Sequence, residues 1–127
     1  MLVKKVGYTD YKGVKREDEL YFNLSKAEVA EMELSHEGGL SAKIERIVAT
    51  QNGGEIIALF KDLIIKSYGT ISDDGKRFIK NDKLREEFLQ TEAYSELFME
   101  LASDADAASA FVNGIIPQVA NKEVATK

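Results

Sequence analysis

Residues 55–68 read Glu55-Ile56-Ile57-Ala58-Leu59-Phe60-Lys61-Asp62-Leu63-Ile64-Ile65-Lys66-Ser67-Tyr68. Wound as a helix, the large apolar residues cover most of the circumference and leave a narrow polar strip at Lys61, Asp62 and Lys66. A surface helix shows one apolar stripe, whereas a helix apolar on most sides is central to a core or an interface. Ile56, Ile57, Phe60 and Leu63 are therefore expected inside. Gly53 and Gly54 precede the helix, and Gly69 stands where a left-handed C-cap is expected. This rod sets the fold reading: the elements on either side pack on it.

Working back toward the N-terminus, Asn52-Gly53-Gly54 is a sharp break, and a helix is expected over 40–51 with Leu40, Ile44, Ile47 and Val48 inward. Ser25 and Glu28 form the S-x-x-E capping box of a shorter helix over 25–34. Ala27, Ala30 and Leu34 lie along its expected inward side, broadened by Val29 and Met32, and Gly38-Gly39 closes the unit. Before Ser25 the periodicity changes to alternation, with strands over 3–8 and 20–24. Val6 and Tyr8 share a side, as do Leu20, Phe22 and Leu24, while Tyr21 points away. Asp10-Tyr11-Lys12-Gly13 has the chemistry of a type I turn. The charged run Lys15-Arg16-Glu17-Asp18-Glu19 reads as a solvated hairpin arm.

Beyond the rod, residues 69–80 read as a loop with a turn at 72–75, tied to the core by Phe78 and Ile79. Lys76, Arg77, Lys80, Lys83 and Arg85 make a basic cluster. Asn81 caps a helix over 82–90, and another follows from about Thr91 with Tyr94, Leu97, Phe98 and Leu101 on one amphipathic face. Ser103 is the expected cap of a helix over 104–112, in which Ala105, Ala108, Ala110 and Phe111 allow close packing. Gly114 stops it, and Ile115-Ile116-Pro117 leads into an exit strand or loop. The fold class is thus α+β and mainly helical: an N-terminal β-hairpin followed by about six helices around a central apolar helix. A single domain is expected over 1–120, with a flexible C-terminal tail over 121–127.

The chain has 127 residues and a formal net charge of −5, which weighs against general affinity for nucleic acid or anionic lipid. No apolar run approaches the roughly 18 residues of a membrane span, and no secretion signal is recognisable, so a cytoplasmic setting is expected. Without cysteine there is no thiolate metal site or cysteine nucleophile, and His36, read as an exposed linker residue, is the one histidine. Asp73 and Asp74 lack the alternating ligands and terminal glutamate of a calcium loop. Nucleotide-binding, zinc-protease and nucleophile-elbow motifs are absent. The expectation is no enzyme, no metal and no cofactor. A small DNA-binding or regulatory protein is the alternative, with a helix–turn–helix over 27–48, but its second helix offers only Lys43 and Arg46.

Long blocks in fixed order carry a more specific signal. Residues 21–28 (YFNLSKAE), 60–69 (FKDLIIKSYG), 74–80 (DGKRFIK), 90–101 (QTEAYSELFMEL) and 111–117 (FVNGIIP) resemble the tail assembly chaperones of long, flexible-tailed bacteriophages of Gram-positive hosts. The resemblance implies a non-enzymatic protein that coats the tape-measure protein, keeps its apolar helices soluble and helps recruit the tail-tube protein. It also implies a protein of the host cytoplasm, absent from the mature virion, from genes that often yield a longer frameshifted product. It supplies no binding residues to carry over. The interaction candidates are physical choices: the basic Lys76, Arg77 and Lys80, and the apolar Tyr94, Leu97, Phe98 and Leu101. From Glu86 to Asp106 the chain is acidic, so self-association, basic loop to acidic helix, is the expected assembly mode.

Overall fold

The alternation at the N-terminus becomes a long hairpin in the computed structural model, which describes residues 1–35 and 39–116. Strand β1 (Leu2–Thr9) pairs antiparallel with β2 (Lys15–Phe22) in unbroken register from Leu2↔Phe22 to Thr9↔Lys15. The charged run is therefore part of β2, and it stays solvated except for Asp18, whose carboxylate accepts from the Tyr8 hydroxyl. At the tip, Gly13 takes a φ of 82° and donates to the Asp10 carbonyl, while the Asp10 carboxylate accepts from the Lys12 and Val14 amides.

Helices α1 (Lys26–Ser35), α2 (Gly39–Thr50) and α3 (Gly53–Ser67) follow. The capping box forms as expected: Glu28 N donates to Ser25 Oγ at 3.1 Å and Ser25 N to Glu28 Oε1 at 2.8 Å. The inward face of α1 differs from the expected one. Val29 and Met32 pack on the core, while Ala27 and Ala30 are exposed. Large side chains gain more from burial than a methyl group does, so they set the rotation of the helix. The expectations for the side chains of Leu34, Leu40 and Val48, for His36 and Gly38, and for Pro117 and the tail over 121–127 lie outside the described residues.

The largest departure follows α3. Residues expected as a loop form β3 (Tyr68–Ile71) and β4 (Phe78–Ile79), giving a sheet of order β1-β2-β3-β4. β3 joins β2 through Tyr21↔Gly69 and Phe22↔Tyr68, and β4 joins β3 through Thr70↔Ile79 and Ile71↔Phe78. Strands this short carry no readable alternation; pairing with β2 makes them strands. Gly69 is consequently no helix cap. Tyr68 is the extended C-cap residue, and a Cβ on Gly69 would lie 2.6 Å from both the Ile79 carbonyl oxygen and Phe78 Cε2. Glycine is needed there for close approach.

Helices α4 (Asp82–Leu89), α5 (Glu92–Ser103) and α6 (Ala105–Ile115) complete the fold. Asn81 and Thr91 cap α4 and α5. Asp104, not Ser103, caps α6: its side chain accepts from the Asp106 and Ala107 amides, whereas Ser103 Oγ turns back to the Met99 carbonyl. Nor does Gly114 end α6. The helix continues to Ile115, which is 1% exposed and accepts from Leu24 N at 2.9 Å. The missing Cβ of Gly114 leaves room for Leu2 of β1.

The helices fill one side of the sheet. Phe22 sits among Tyr68, Phe88 and Phe111 at ring separations of 5.8, 6.1 and 5.2 Å, and Tyr68 stacks on Phe88 at 4.0 Å. Leu63 and Ile64 of α3, Leu97 of α5 and Ile115 of α6 close this core. Ser67, fully buried, satisfies its hydroxyl on the Leu63 carbonyl at 2.6 Å. The expected α+β, mainly helical fold with a hairpin and six helices is what forms, extended by two strands.

Candidate functional site

The apolar stripe of α3 changes environment along its length. Leu59 near the middle, and Leu63, Ile64 and Ser67 in the C-terminal half, are buried. In the N-terminal half, Ile56 and Phe60 are only half-buried and Ile57 is 47% exposed. Helical spacing puts Ile56, Phe60, Leu63 and Ser67 along one side, so a single stripe is sealed at one end and open at the other. Of the residues expected inside, Leu63 is in the core; Ile57 is at the surface, and Ile56 and Phe60 are at its edge.

What opens there is a groove of about 520 Å³ walled by Ile44 of α2, Ile56 and Phe60 of α3, and Val112 of α6. Leu101 and Ala102 of α5 and Ala105, Ala108 and Ser109 of α6 also line it. An adjoining hollow of about 230 Å³ shares Ile56, Phe60, Leu101 and Ala102, and adds Ile57 and Phe98. Ser103 and Asn113 add polar groups to the lining. An open apolar concavity of this kind suits a helix inserting large side chains at i, i+3 and i+4.

The structure separates the candidate residues. Leu97 and Leu101, 1% and 3% exposed, belong to the core, although Leu101 also reaches the groove. Tyr94 and Phe98 are half-buried, with ring centroids 5.9 Å apart, and Phe98 lines the hollow. Lys76 and Arg77 are exposed on the β3–β4 turn. Lys80, in contrast, bonds both oxygens of Glu28 at 2.9 and 2.7 Å, with its ammonium 5.7 Å from the Phe78 ring centre. Arg85 is also engaged, on the Ile65 carbonyl. The candidate set shares only Leu101 with the groove lining and lacks its large apolar residues Ile44, Ile56, Phe60 and Val112. Their helical phase was readable, but which side of α3 lacks a cover was not.

The electrostatics serve structure. Desolvation opposes the Glu28 charge, yet the bonds from Lys80 and the Ser25 amide prevail and hold its carboxyl below the ordinary glutamate value. Burial raises the Tyr68 and Tyr94 hydroxyls above theirs, so both stay neutral. Among the described residues no group of histidine, aspartate and glutamate is placed to hold a metal ion, and no helix is long and apolar enough to cross a membrane.

The profile of a family described as phage tail assembly chaperone matches residues 1–127. No curated protein and no solved structure matches the chain. An open apolar groove on a capped, well-packed helical scaffold is in keeping with a chaperone's need to cover another protein's apolar surface. Matched over its whole length, the chain belongs to the phage tail assembly chaperone family.

Proposed function

We propose that the groove beside the N-terminal half of α3 receives apolar helical segments of the phage tape-measure protein. The chain thereby keeps that protein soluble in the host cytoplasm, without catalysis, and helps recruit the tail-tube protein before leaving the finished tail. The observation that carries this reading is the apolar surface of α3, which is sealed at Leu59, Leu63 and Ile64 but only half-covered at Phe60 and Ile56 and exposed at Ile57. Covering the open positions would take an apolar helix that this chain does not itself supply among its described residues. Many copies on one long partner gain from effective concentration, yet each weak contact can be displaced in turn.

The test is co-expression of a tape-measure fragment with the wild-type chain, Ile57→Asp or Ser109→Arg. Both altered residues are exposed, so the fold is expected to survive, as checked by circular dichroism. The fragment should be soluble and co-purify with the wild type, and should be lost to the pellet with either variant. Equal rescue by the variants, or no rescue by the wild type, would overturn the proposal.

A further inference from the structure

Strand β1 is an outer strand of the sheet, and its far side is open. Two bonds fix the phase of the ladder. Asp10 N donates to the Val14 carbonyl at 2.9 Å in the same register that pairs β1 with β2, so Leu2, Lys4, Val6 and Tyr8 are the residues whose backbone bonds to β2. Asn23 N donates to the Ser67 carbonyl at 2.8 Å, which in the same way leaves the odd-numbered residues of β2 to β3. The amides and carbonyls of Val3, Lys5, Gly7 and Thr9 therefore point away from the sheet, and among the described residues nothing bonds them. All four residues are exposed, and a Cβ on Gly7 would meet only the Arg16 carbonyl, at 4.0 Å. Sheet edges are commonly blunted by short strands, bulges or proline. β1 runs for eight residues in unbroken register and has none of these.

Helix α5 packs against β1, and one flank of it follows this edge. Lys4 bonds Glu100 at 2.8 Å, and the Tyr11 hydroxyl, just past the other end of β1, donates to Glu92. Glu96 lies one helical turn from each and is exposed on the same flank, since Ala93, Leu97 and Leu101 take the core side. The free edge thus runs beside a row of three carboxylates, of which Glu100 alone is bonded to a cation among the described residues.

We propose that the β1 edge takes an extended segment of a partner protein as a fifth strand, one with lysine or arginine at every second position. The outward amides and carbonyls of Val3, Lys5, Gly7 and Thr9 supply main-chain bonds, as in other cases of strand addition. The carboxylate row supplies the selection. Alternate side chains of the added strand stand on the helical side, next to Glu96 and Glu100, and there a cation is favoured. The others lie beside Val3, Lys5, Gly7 and Thr9 on the open face, where small uncharged residues fit. A second copy's β1 is the poorer occupant, because pairing edge to edge sets two α5 rows carboxylate to carboxylate in a chain of net charge −5. The edge is separate from the groove, which α5 borders with Phe98 and Leu101, so a helix in the groove leaves the edge free.

The probe is a short synthetic peptide in which threonine alternates with lysine, titrated into the isotope-labelled full chain up to roughly 1 mM, where weak complexes form. The amides of Val3, Lys5, Gly7 and Thr9 should shift and gain protection from hydrogen exchange, whereas those of Lys4, Val6 and Tyr8 are protected already. Glutamate in place of the peptide's lysines should weaken binding at least about tenfold. Glu96→Lys should weaken the lysine peptide at least about threefold, with the thermal melt unchanged. Lys5→Pro removes an outward donor together with a charge that repels the peptide, so a loss of binding there belongs to the backbone. Should Lys5→Pro lower the melt, peptides N-methylated at alternate amides carry the test: one set should abolish binding and the other leave it. Outward amides unmoved up to that concentration, equal binding of the glutamate peptide, or equal tolerance of both methylation patterns would overturn the proposal. So would the same amides shifting with the concentration of the chain alone, which would give the edge to a second copy.

Discussion

The Lys80 ammonium lies 2.7 Å from Oε2 of Glu28, a residue 52 positions earlier, and 2.9 Å from its Oε1. Glu28 simultaneously accepts from Ser25 N as the far half of the capping box. One carboxylate therefore fastens the start of α1 and ties it to the exit of β4. Lys80 is 12% exposed in its side chain, so its positive charge is committed within the chain.

Glu28→Gln and Lys80→Met should each lower stability by about 1 kcal/mol, a value reduced for the partial exposure of Glu28. The double variant should cost less than the sum of the singles, because the same contact is lost in each. Urea melts of the four proteins measure this.

The same contact sets a pH dependence. The Glu28 carboxyl is held below the ordinary glutamate value in the folded chain by its bonds from Lys80 and the Ser25 amide, so the folded state favours its charged form. Its stabilisation is fully present above the unfolded-state value and is lost as pH falls through the lower folded value. The stability gap between wild type and Glu28→Gln should therefore be full at neutral pH and close in acid. A gap unchanged between about pH 7 and pH 3 would contradict the assignment.

Gly69→Ala should destabilise by about 1–3 kcal/mol, because its Cβ meets the Ile79 carbonyl as well as the Phe78 ring. Adding Phe78→Ala removes only the ring conflict. The combined variant should therefore remain less stable than Phe78→Ala alone, measured by thermal denaturation.

Leu63 and Phe60 lie one turn apart on α3 and should separate stability from binding. Leu63→Ala, in a site 1% exposed, should cost about 3 kcal/mol. Phe60→Asp, which would cost several kcal/mol at the interior position expected for Phe60, should cost less than about 2, because its side chain borders the open groove and the carboxylate keeps water. Its larger effect should be on solubilising a tape-measure fragment.

Much was legible in the residues themselves. Capping by Ser25 and Asn81, a helix start near Thr91, alternation through Val6 and Leu20, and the apolar wrap of 55–68 are local signals, readable because each depends on a few neighbouring positions. The ordered blocks that resemble tail assembly chaperones are likewise a property of the sequence, and the whole-length match agrees with them. Tertiary structure alone decided the rest. Tyr68–Ile71 and Phe78–Ile79 are strands because β2 offers an edge, Val29 and Met32 face inward because the core takes the larger side chains, and Lys80 is committed because α1 brings Glu28 to it. Ile56, Ile57 and Phe60 have the same chemistry as Leu63 and Ile64, and periodicity states only that they are apolar. Which positions of α3 are sealed depends on how closely the other helices pack against it, and a hydrophobic stripe does not specify how much of its length another element will cover.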